Sequence, residues 1–390
     1  MSARWQVTHD AASALTALRQ CLRFEAPHGN GSSLVKFLYV VGARPNFVKT
    51  APVLAAMLRR FPHAAHVLVH TGQHYDVEMS ELFVEQLGMP EPDYRLEVRS
   101  ASHAVQTARV MEALERVVFE SQPEFAFVSG DVNSTLAASL VFAKLCIPYA
   151  HIESGLRSFD RTMPEEINRI VADEFAELLF AHSDDAVANL SAEGIGLGRV
   201  HLVGNTMIDA LVAFESRFRA LESRRAFGLA RGRFLLVTLH RPALVDGPAL
   251  DDVLAYLDTV AVEMPVLFPV HPRTRARVDE GKYPHVRFAP PLGYLEFLSL
   301  EADAQAVLTD SGGVQEETTY LGVPCFTLRD TTERPVTIRN GTNTLLGLEP
   351  ERVREIPKLL PDSPARREPP PYWDGLASER IVDVVALAFG

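Results

Sequence analysis

From Val35 onward, short apolar runs rich in β-branched residues alternate with longer segments whose apolar residues recur at helical spacing. Apolar runs of about four to eight residues between turn signals predict strands, and the longer segments predict helices. Neighbouring parallel strands need a long crossover connection, which such helices supply. The alternation therefore restricts the chain to an α/β fold in which helices wrap parallel sheets.

The predicted strands fall into two sets. The first set is Val35–Val41, Ala65–His70, Phe125–Ser129, Tyr149–Ile152, Leu178–Ala181 and Val200–Val203. The second set is Phe234–Leu239, Val266–Val270, Ala306–Thr309 and Cys325–Leu328. Helices are predicted at Phe47–Arg60, His103–Glu120 and Ser378–Phe389, and the helical stretch Thr206–Arg225 connects the two sets. Two α/β units on one connector predict a cleft between them, where ligands bind in such folds.

The domain boundaries follow from these sets. Residues 35–205 are the predicted first Rossmann-like domain and residues 206–375 the second, nucleotide-binding one. Residues 1–34 are predicted to lie outside the fold, because a weak amphipathic helix at Asp10–Phe24 is followed by the Gly- and Ser-rich stretch 28–33. These first residues lack the basic start and apolar core of a signal peptide.

Charge and cysteine content exclude several classes of function. The formal charge is −12 with both signs mixed along the chain, which argues against a nucleic-acid partner or an anionic membrane surface. Cys21, Cys146 and Cys325 are far apart and form no CxxC or Cys/His cluster, which favours a reduced cytoplasmic compartment and argues against a metal site. No apolar run reaches the length of a membrane span, about 18 residues.

A cationic loop joins the first strand to the first helix. Its sequence, Gly42–Lys49, combines a glycine that allows a tight turn with a helix start whose N–H groups favour an anion. Arg44 and Lys49 add positive charge there, which favours an anion site. A helix-entry loop with two surface cations is the simpler alternative, and the spacing of a Walker loop is absent.

Acidic residues follow two later strands. Asp131 either caps the next helix, a role that Asn133 or Ser134 can also fill, or faces the cleft. Glu153 ends an apolar strand and is predicted either to pair with Arg157 or to have a raised pKa suited to proton transfer.

A pair of glutamates begins the following helix. Pro164 suits its first turn, and Glu165 and Glu166 favour its positive end. That structural explanation suffices for one of the two glutamates. Two or three acids converging on one cleft are what proton abstraction from carbon requires.

The second set carries histidine and arginine after two strands. His240 and Arg241 follow one strand, and His271 follows another, with further arginines beside it. Their repetition favours neutralisation of a leaving pyrophosphate over a purely structural role.

A glycine pair lies between a later strand and its helix. Ser311, Gly312 and Gly313 allow a phosphate to approach backbone N–H groups at the helix start. Glu317, one turn further on, is placed to accept hydrogen bonds from ribose hydroxyls.

Together these motifs resemble one known family. The segments GARPNFVK, HTGQHYD, GDVNST, HIESGLRSFDRTMPEEINR, VGNTMIDAL, TLHRP, PVHPRTR and TDSGGVQEE with LRDTTERP occur in this order between about Phe37 and Gly347. The chain is similar in this respect to the bacterial and archaeal UDP-N-acetylglucosamine 2-epimerases of the non-hydrolysing type. The resemblance implies a two-domain glycosyltransferase-B type fold, a C-terminal helix (residues 376–390) packed on the first domain, and a homodimer.

The resemblance also implies a reaction and roles. UDP leaves UDP-N-acetylglucosamine by anti elimination, and it returns to 2-acetamidoglucal to give UDP-N-acetylmannosamine, a precursor for polysaccharide biosynthesis, without metal or cofactor. Asp131, Glu153 and Glu165 would move protons, and which of them takes the C2 proton stays open. The residues implied for UDP are His240, which would stabilise the departing group, Arg44 and Lys49 at the diphosphate, and Ser311, Gly312, Gly313 and Glu317 at the phosphate and ribose.

Two departures from the family pattern and three alternatives remain. Ala243 and Leu244 follow His240-Arg241-Pro242 where the family usually has Glu-Asn, which predicts a lost polar contact near the diphosphate. Gln73-His74 is followed by Tyr75-Asp76, as in archaeal members, which predicts weak or absent activation by a second UDP-sugar.

The alternatives are a hydrolysing epimerase that releases ManNAc and UDP, a glycosyltransferase of the same architecture, and an inactive UDP-sugar-binding module.

Overall fold

The computed structural model describes residues 35–72, 86–360 and 368–389. The helix predicted at 10–24 and the segment 73–76 lie outside these residues. Two compact units divide the chain: the first unit runs to Asp209 and resumes at Leu376, and the second unit is Ala210–Gly375.

The described residues of the first unit include seven strands in one sheet. They are β1 Lys36–Val41, β2 Ala65–His70, β3 Tyr94–Arg95, β4 Phe125–Ser129, β5 Tyr149–Ser154, β6 Leu178–Ala181 and β7 Val200–Leu202. Its helices are α1 Arg44–Arg60, α2 His103–Ser121, α3 Asn133–Lys144, α4 Pro164–Phe175 and α5 Asp184–Ala192, with a 3-10 turn at Leu197–Arg199. Helix α6, Thr206–Leu221, begins in the first unit and ends in the second.

The second unit contains a six-stranded sheet. Its strands are β8 Leu235–Thr238, β9 Val266–Pro269, β10 Val286–Ala289, β11 Ala306–Thr309, β12 Cys325–Thr327 and β13 Asn343–Leu345. Its helices are α7 Pro242–Val245, α8 Ala249–Glu263, α9 Pro272–Arg275, α10 Tyr294–Asp303, α11 Gly312–Leu321, α12 Pro335–Arg339 and α13 Ile356–Leu359, with 3-10 turns at Ser223–Phe227, Glu280–Lys282 and Pro350–Glu355. The last helix, α14 Ala377–Phe389, belongs to the first unit.

Both sheets are parallel and share one strand order. The first is β3-β2-β1-β4-β5-β6-β7 and the second is β10-β9-β8-β11-β12-β13. The order reverses between β1 and β4 in one sheet and between β8 and β11 in the other. In open α/β sheets the crevice at such a reversal, outside the carboxyl ends of the strands, is where ligands bind. The loops after β1, β4, β8 and β11 therefore lie where sheets of this kind bind their ligands.

Strand burial explains why the central elements were predictable. Five of the six residues of β1, and all of those in β4 and β5, are buried, so these strands are covered on both faces and begin with mostly apolar sequence; the polar residues of β5 lie among them at His151, Glu153 and Ser154. The strands predicted at Ala65–His70, Phe125–Ser129, Leu178–Ala181 and Ala306–Thr309 have those bounds in the structure.

Three strands were missed, and each has a physical reason. Strand β3 has two residues and pairs only along Val69–His70 at the edge of the sheet. Strand β13 has three residues, and β10 carries exposed Arg287 between buried ends. Such short, partly polar edge segments give too few apolar residues for a period to be recognised.

The helix at the end of the chain completes the first unit. Helix α14 packs against α1, and its Phe389 ring lies 5.3 Å from Phe37 and 5.4 Å from Phe125, edge-on in both pairs. The Asp209 carboxylate accepts hydrogen bonds from the backbone N–H groups of Ala377 and Ser378, at 3.0 and 2.6 Å. Asp209 thus caps a helix that lies 168 residues further along the chain.

Candidate active site

The loop after β1 is hydrogen-bonded to the end of β4 and packs closely on the segment that follows it. The Asn46 side chain accepts a hydrogen bond from Ala43 N–H at 3.0 Å and donates to the Ser129 carbonyl at 2.6 Å. A Cβ at Gly42 would lie 2.4 Å from the Ser134 hydroxyl, so only glycine allows the two loops to approach this closely. The predicted diphosphate residue Arg44 is the first residue of α1 in this loop.

Lys49 and Glu153 form a buried ion pair at the centre of the first unit. Lys49 Nζ lies 2.8 Å from Glu153 Oε1, and the two side chains are 5% and 4% exposed. A Cβ at Gly130 would lie 3.0 Å from the same Nζ, so the ammonium also packs on the loop after β4. The structure therefore brings together the cation predicted for the diphosphate and one of the predicted proton-transfer acids.

Glu153 has an unusual backbone conformation. Its φ is +68°, in the left-handed region, and the pairing of β5 with β6 shifts register between Ile152 and Ser154. A non-glycine residue held there is strained by about 1–2 kcal/mol, and such strain concentrates at functional sites. The irregularity re-aims the carboxylate, since a bulge changes the direction of the side chain.

Of the two alternatives for Glu153, pairing with Arg157 was wrong. Arg157 instead binds Asp173, with Nη1 at 2.7 Å from Oδ2, and Glu193, with Nη2 at 2.6 Å from Oε2. The cation that pairs with Glu153 is Lys49, which is 104 residues away in sequence.

Asp131 follows β4 and does not cap a helix. Helix α3 begins at Asn133 and has Val132 at its N-cap position. The Asp131 carboxylate pairs with Arg169 from α4, and Asn168 Nδ2 donates to the Asp131 carbonyl at 2.8 Å. The Asp131 side chain is 23% exposed, so this acid is both anchored and reachable by a ligand.

The two glutamates that begin α4 have different environments. Glu166 is buried and accepts hydrogen bonds from the backbone N–H groups of Ser158 and Phe159, both at 2.9 Å, and from Arg169 at 2.7 Å. Burial acts to raise the pKa of Glu166, but these hydrogen bonds and the Arg169 charge hold it below the usual value. Glu166 is therefore the structural glutamate, and Glu165, half-buried on the first turn, is left as the candidate for chemistry.

In the second unit, Asp310 organises the loop after β8. The Asp310 carboxylate accepts hydrogen bonds from His240 N–H at 3.0 Å and Arg241 N–H at 2.8 Å, and His240 Nδ1 lies 2.9 Å from it. Burial acts to raise the pKa of Asp310, but the contacts from His240 and Arg241 lower it below the usual range. The imidazole of His240 is 55% exposed, so its outer edge can reach a bound anion.

The glycine pair lies at the start of α11, as the motif predicted. Ser311 occupies the N-cap position, and its N–H donates to the Thr309 hydroxyl at 2.9 Å. A Cβ at Gly312 would lie 2.5 Å from Nη1 of Arg334. The close approach that requires a glycine here is thus made by a guanidinium, while Gly313 is the next residue of the helix.

A buried charge network surrounds that guanidinium. Arg334 Nε lies 2.7 Å from Glu316, and Arg329 makes two bonds to Glu333 at 2.9 and 2.6 Å. Arg241 adds a third cation, 3.8 Å from Glu333. Sequence reasoning missed Arg329, Glu333 and Arg334 as site residues, although they lie in the quoted LRDTTERP motif.

Glu317 belongs to a second buried acidic environment. Tyr294 donates to Glu317 Oε1 at 3.0 Å. Burial, and then the charge of Glu317, raise the pKa of Glu301 well above its ordinary value. Glu301 was not predicted from sequence, because one acid inside a helical pattern carries no signal of its burial.

The remaining predicted residues lie in short segments. His271 is exposed and lies just before α9. Leu244, one of the two departures from the family pattern, is buried in the core of the second unit, with 2% of its surface exposed. Its apolar side chain therefore contributes to packing.

Two absences apply to the part of the chain that the structure describes. No group of three or more His, Cys, Asp or Glu side chains there could hold a metal ion. Within the same ranges, no helix is both long and apolar enough to cross a membrane.

Comparison with known proteins decides the family. The family model described as UDP-N-acetylglucosamine 2-epimerase matches residues 56–386. The chain belongs to this family. A UDP-N-acetylglucosamine 2-epimerase of Methanocaldococcus jannaschii is 37% identical over 364 residues, which cover 90% of this chain and 99% of the relative.

Two further comparisons bear on this member of the family. The UDP-2,3-diacetamido-2,3-dideoxy-D-glucuronate 2-epimerase of Pseudomonas aeruginosa is 38% identical over 358 residues, covering 90% of this chain and 99% of the relative. The crystal structure of the M. jannaschii enzyme in complex with UDP-GlcNAc and UDP aligns with a TM-score of 0.83 at 36% identity, covering 91% and 100% of the two chains. The predicted α/β fold of two Rossmann-like domains, of glycosyltransferase-B type, is thereby confirmed.

Proposed function

We propose that this epimerase inverts C2 of UDP-N-acetylglucosamine to give UDP-N-acetylmannosamine, reversibly and without net hydrolysis. The observation that carries the proposal is the pair of carboxylates on adjacent strand ends of the first unit, Asp131 after β4 and Glu153 in β5, each paired with its own cation. Two acids are needed because C2 must lose a proton on one face and regain it on the other.

In this proposal, one unit binds the nucleotide and the other acts on the sugar. The second unit binds UDP, because the start of a ten-residue helix is partly exposed at Ser311 and Gly312 beside the Arg334 guanidinium, and because Arg241 and His240 lie after the neighbouring strand. The first unit acts on the sugar through Asp131, Glu153 and Glu165. Arg44, Lys49 and His271 remain predicted contacts of the diphosphate, and Gly313 and Glu317 of the phosphate and ribose.

The bond changes follow from these roles. One carboxylate takes the proton from C2 while the C1–oxygen bond breaks, so that UDP leaves with the bonding pair and C1=C2 forms. UDP carries the new negative charge, which His240 and Arg241 would stabilise. In the return step a second acid delivers a proton to the opposite face of C2, and a phosphate oxygen of UDP attacks C1. Neither step needs a redox cofactor.

The test is isotope exchange in heavy water. UDP-GlcNAc incubated with the enzyme in deuterated buffer should give UDP-ManNAc with deuterium at C2, and free UDP should stay substoichiometric. Asp131→Asn and Glu153→Gln should each reduce turnover about 100- to 10,000-fold, with UDP affinity nearly unchanged by calorimetry. Glu112→Gln, an exposed carboxylate on α2, is the matched control.

Each competing function has its own outcome in this test. Stoichiometric UDP with free ManNAc means a hydrolysing epimerase. Turnover only after an acceptor is added means a glycosyltransferase. Calorimetric binding of UDP with no exchange means a binding module. Equal losses of turnover and affinity in the two variants would leave Asp131 and Glu153 with a structural role only.

The Pseudomonas relative favours a second candidate for the sugar. That protein is named for a 2,3-diacetamido uronic acid carried by UDP, and its identity to this chain, 38%, equals or exceeds that of the archaeal relatives. The C2 chemistry is the same, so the site residues keep their roles. The ratio of kcat/KM for the two UDP-sugars decides between them.

Two further points remain proposals carried by family resemblance. The enzyme is proposed to be a homodimer, which light scattering on the purified protein measures directly. Its product is proposed to supply polysaccharide biosynthesis, which loss of a surface polymer on gene deletion would support. The cytoplasmic location predicted from the cysteines also stays a prediction.

A further inference from the structure

His151 lies beneath the turn that carries Asp131. It is fully buried in β5, two residues before Glu153, and none of its surface is exposed. Its Nε2 lies 2.8 Å from the Gly130 carbonyl oxygen, and its Nδ1 lies 2.6 Å from Asp173 Oδ1. The ring therefore connects helix α4, which carries Asp173, to the loop after β4.

Both ring nitrogens of His151 face acceptors. A carbonyl oxygen only accepts, so Nε2 must carry a proton. The other oxygen of Asp173, Oδ2, binds Arg157 Nη1 at 2.7 Å and accepts from Gly155 N–H at 3.1 Å, so the Asp173 carboxylate faces His151 as an acceptor. Nδ1 then donates to Asp173 Oδ1, and with both ring nitrogens donating the ring is an imidazolium.

The surrounding charges make a buried imidazolium tolerable. Asp173 also binds Arg157 at 2.7 Å and accepts from Gly155 N–H at 3.1 Å, and Arg157 continues to Glu193. Two cations and two carboxylates thus alternate along one chain of contacts. Buried charges of this kind persist only when they are paired and hydrogen-bonded.

The contact to Gly130 holds the carbonyl of a turn whose glycine can adopt more than one backbone conformation. Gly130 has φ +62°, and glycine populates left-handed and right-handed backbone with similar ease. Its N–H is held by the Ile152 carbonyl at 3.0 Å, so the next peptide, between Gly130 and Asp131, is the one that can flip. His151 donates to the carbonyl of that peptide, and a flip would redirect Asp131.

We propose that His151 is a positioning residue for Asp131, acting through the hydrogen bond from its protonated ring to the Gly130 carbonyl. The inference rests on the proposed function, in which Asp131 moves a proton at C2. His151 itself is buried and touches no substrate.

Two variants separate the two contacts of the ring. In His151→Gln the amide nitrogen reaches the place of Nε2 and can donate to Gly130. In His151→Asn it reaches only the place of Nδ1 and faces Asp173. A carboxylate displaced by about 1 Å can lose about 100-fold in rate. His151→Asn should therefore lose about 10- to 100-fold in kcat with a nearly unchanged KM, and His151→Gln should recover most of that loss.

The controls keep the two hypotheses apart. If Asp131→Asn retains turnover, the proposed function fails. If Asp131→Asn is inactive but both His151 variants equal wild type, or lose activity equally, the positioning role is overturned. A loss that appears in KM alone would also overturn it.

A measurement on the wild-type enzyme covers the case in which neither variant folds. With ¹⁵N-labelled histidine, one ring should show both N–H protons, protected from exchange with water at neutral pH. Coupling of its Nε2–H to the ¹³C carbonyl of labelled glycine identifies the Gly130 contact. A ring at this position without a proton on Nε2 would refute the proposal.

Discussion

The Lys49–Glu153 pair gives a stability prediction that can be worked from the structure. The two side chains are 5% and 4% exposed, and the charged atoms lie 2.8 Å apart. Lys49→Met removes the ammonium that neutralises a buried carboxylate, and Glu153→Gln leaves a buried ammonium without that carboxylate. Breaking a buried pair from one side costs about 3–5 kcal/mol. Each single variant should lose stability in that range, a large share of the total of about 5–15 kcal/mol.

The double variant distinguishes the charge effect from lost packing. Lys49→Met with Glu153→Gln leaves neither charge, and uncharged replacements of a buried pair are often nearly neutral. We expect the double variant to lose at least about 2 kcal/mol less than the sum of the two single losses.

The assay is urea denaturation of the UDP-free protein, followed by circular dichroism. Arg59 and Glu379 provide the matched control, because they form an ion pair in the same unit with side chains 63% and 52% exposed. Arg59→Met should change stability by less than about 1 kcal/mol. Additive losses at Lys49 and Glu153, or a loss for Lys49→Met no larger than that for Arg59→Met, would refute the reasoning.

Three further predictions concern other parts of the molecule. Gly130→Ala should lower the free energy of unfolding by about 1–2 kcal/mol and remove most of the turnover, because φ is +62° and the new Cβ would lie 3.0 Å from Lys49 Nζ. Calorimetry should show that UDP affinity is retained. A Gly130→Ala variant with wild-type turnover would contradict this prediction. Gly312→Ala should weaken UDP binding about tenfold, because the new Cβ would displace Arg334. The control is Gly196→Ala, which should leave UDP binding unchanged because a Cβ there meets nothing within 4 Å. Equal UDP dissociation constants for the two variants would count against a UDP site at Gly312. Glu301 has a raised pKa, so its proton is retained in the folded state and lost in the unfolded state above about pH 4.3. Stability should therefore fall with rising pH from there toward the folded pKa, by at most about 1.4 kcal/mol per pH unit, and Glu301→Gln should remove this slope; parallel pH curves for the two proteins would show that Glu301 is ionised when folded.

The fold was predictable because burial determines the composition of the central strands. Strands such as β4 and β11 are covered on both faces, so their sequence is apolar up to a final Ser or Thr and their bounds can be recognised. Edge strands β3, β10 and β13 are short or partly exposed, and their sequence carries no comparable signal.

The sequence predicted which loops carry the candidate site residues, but it did not predict which acid pairs with which cation. The carboxyl ends of parallel strands meet at one edge, which is why Asp131 and Glu153 were expected to be neighbours. Which cation each acid meets depends on register and on the irregularity at Glu153, and neither is visible in sequence. Arg157 was the nearer cation along the chain, but the left-handed residue at 153 directs the carboxylate to Lys49.

Helix α14 also determines when the first unit can finish folding. Its residues emerge from the ribosome only after all of 210–375 has been made, although they pack on Phe37 and Phe125. During synthesis the second unit can therefore complete its sheet while the first still exposes the apolar surface that Phe389 will cover. Polypeptides halted before residue 376 would be expected to engage chaperones through that uncovered surface.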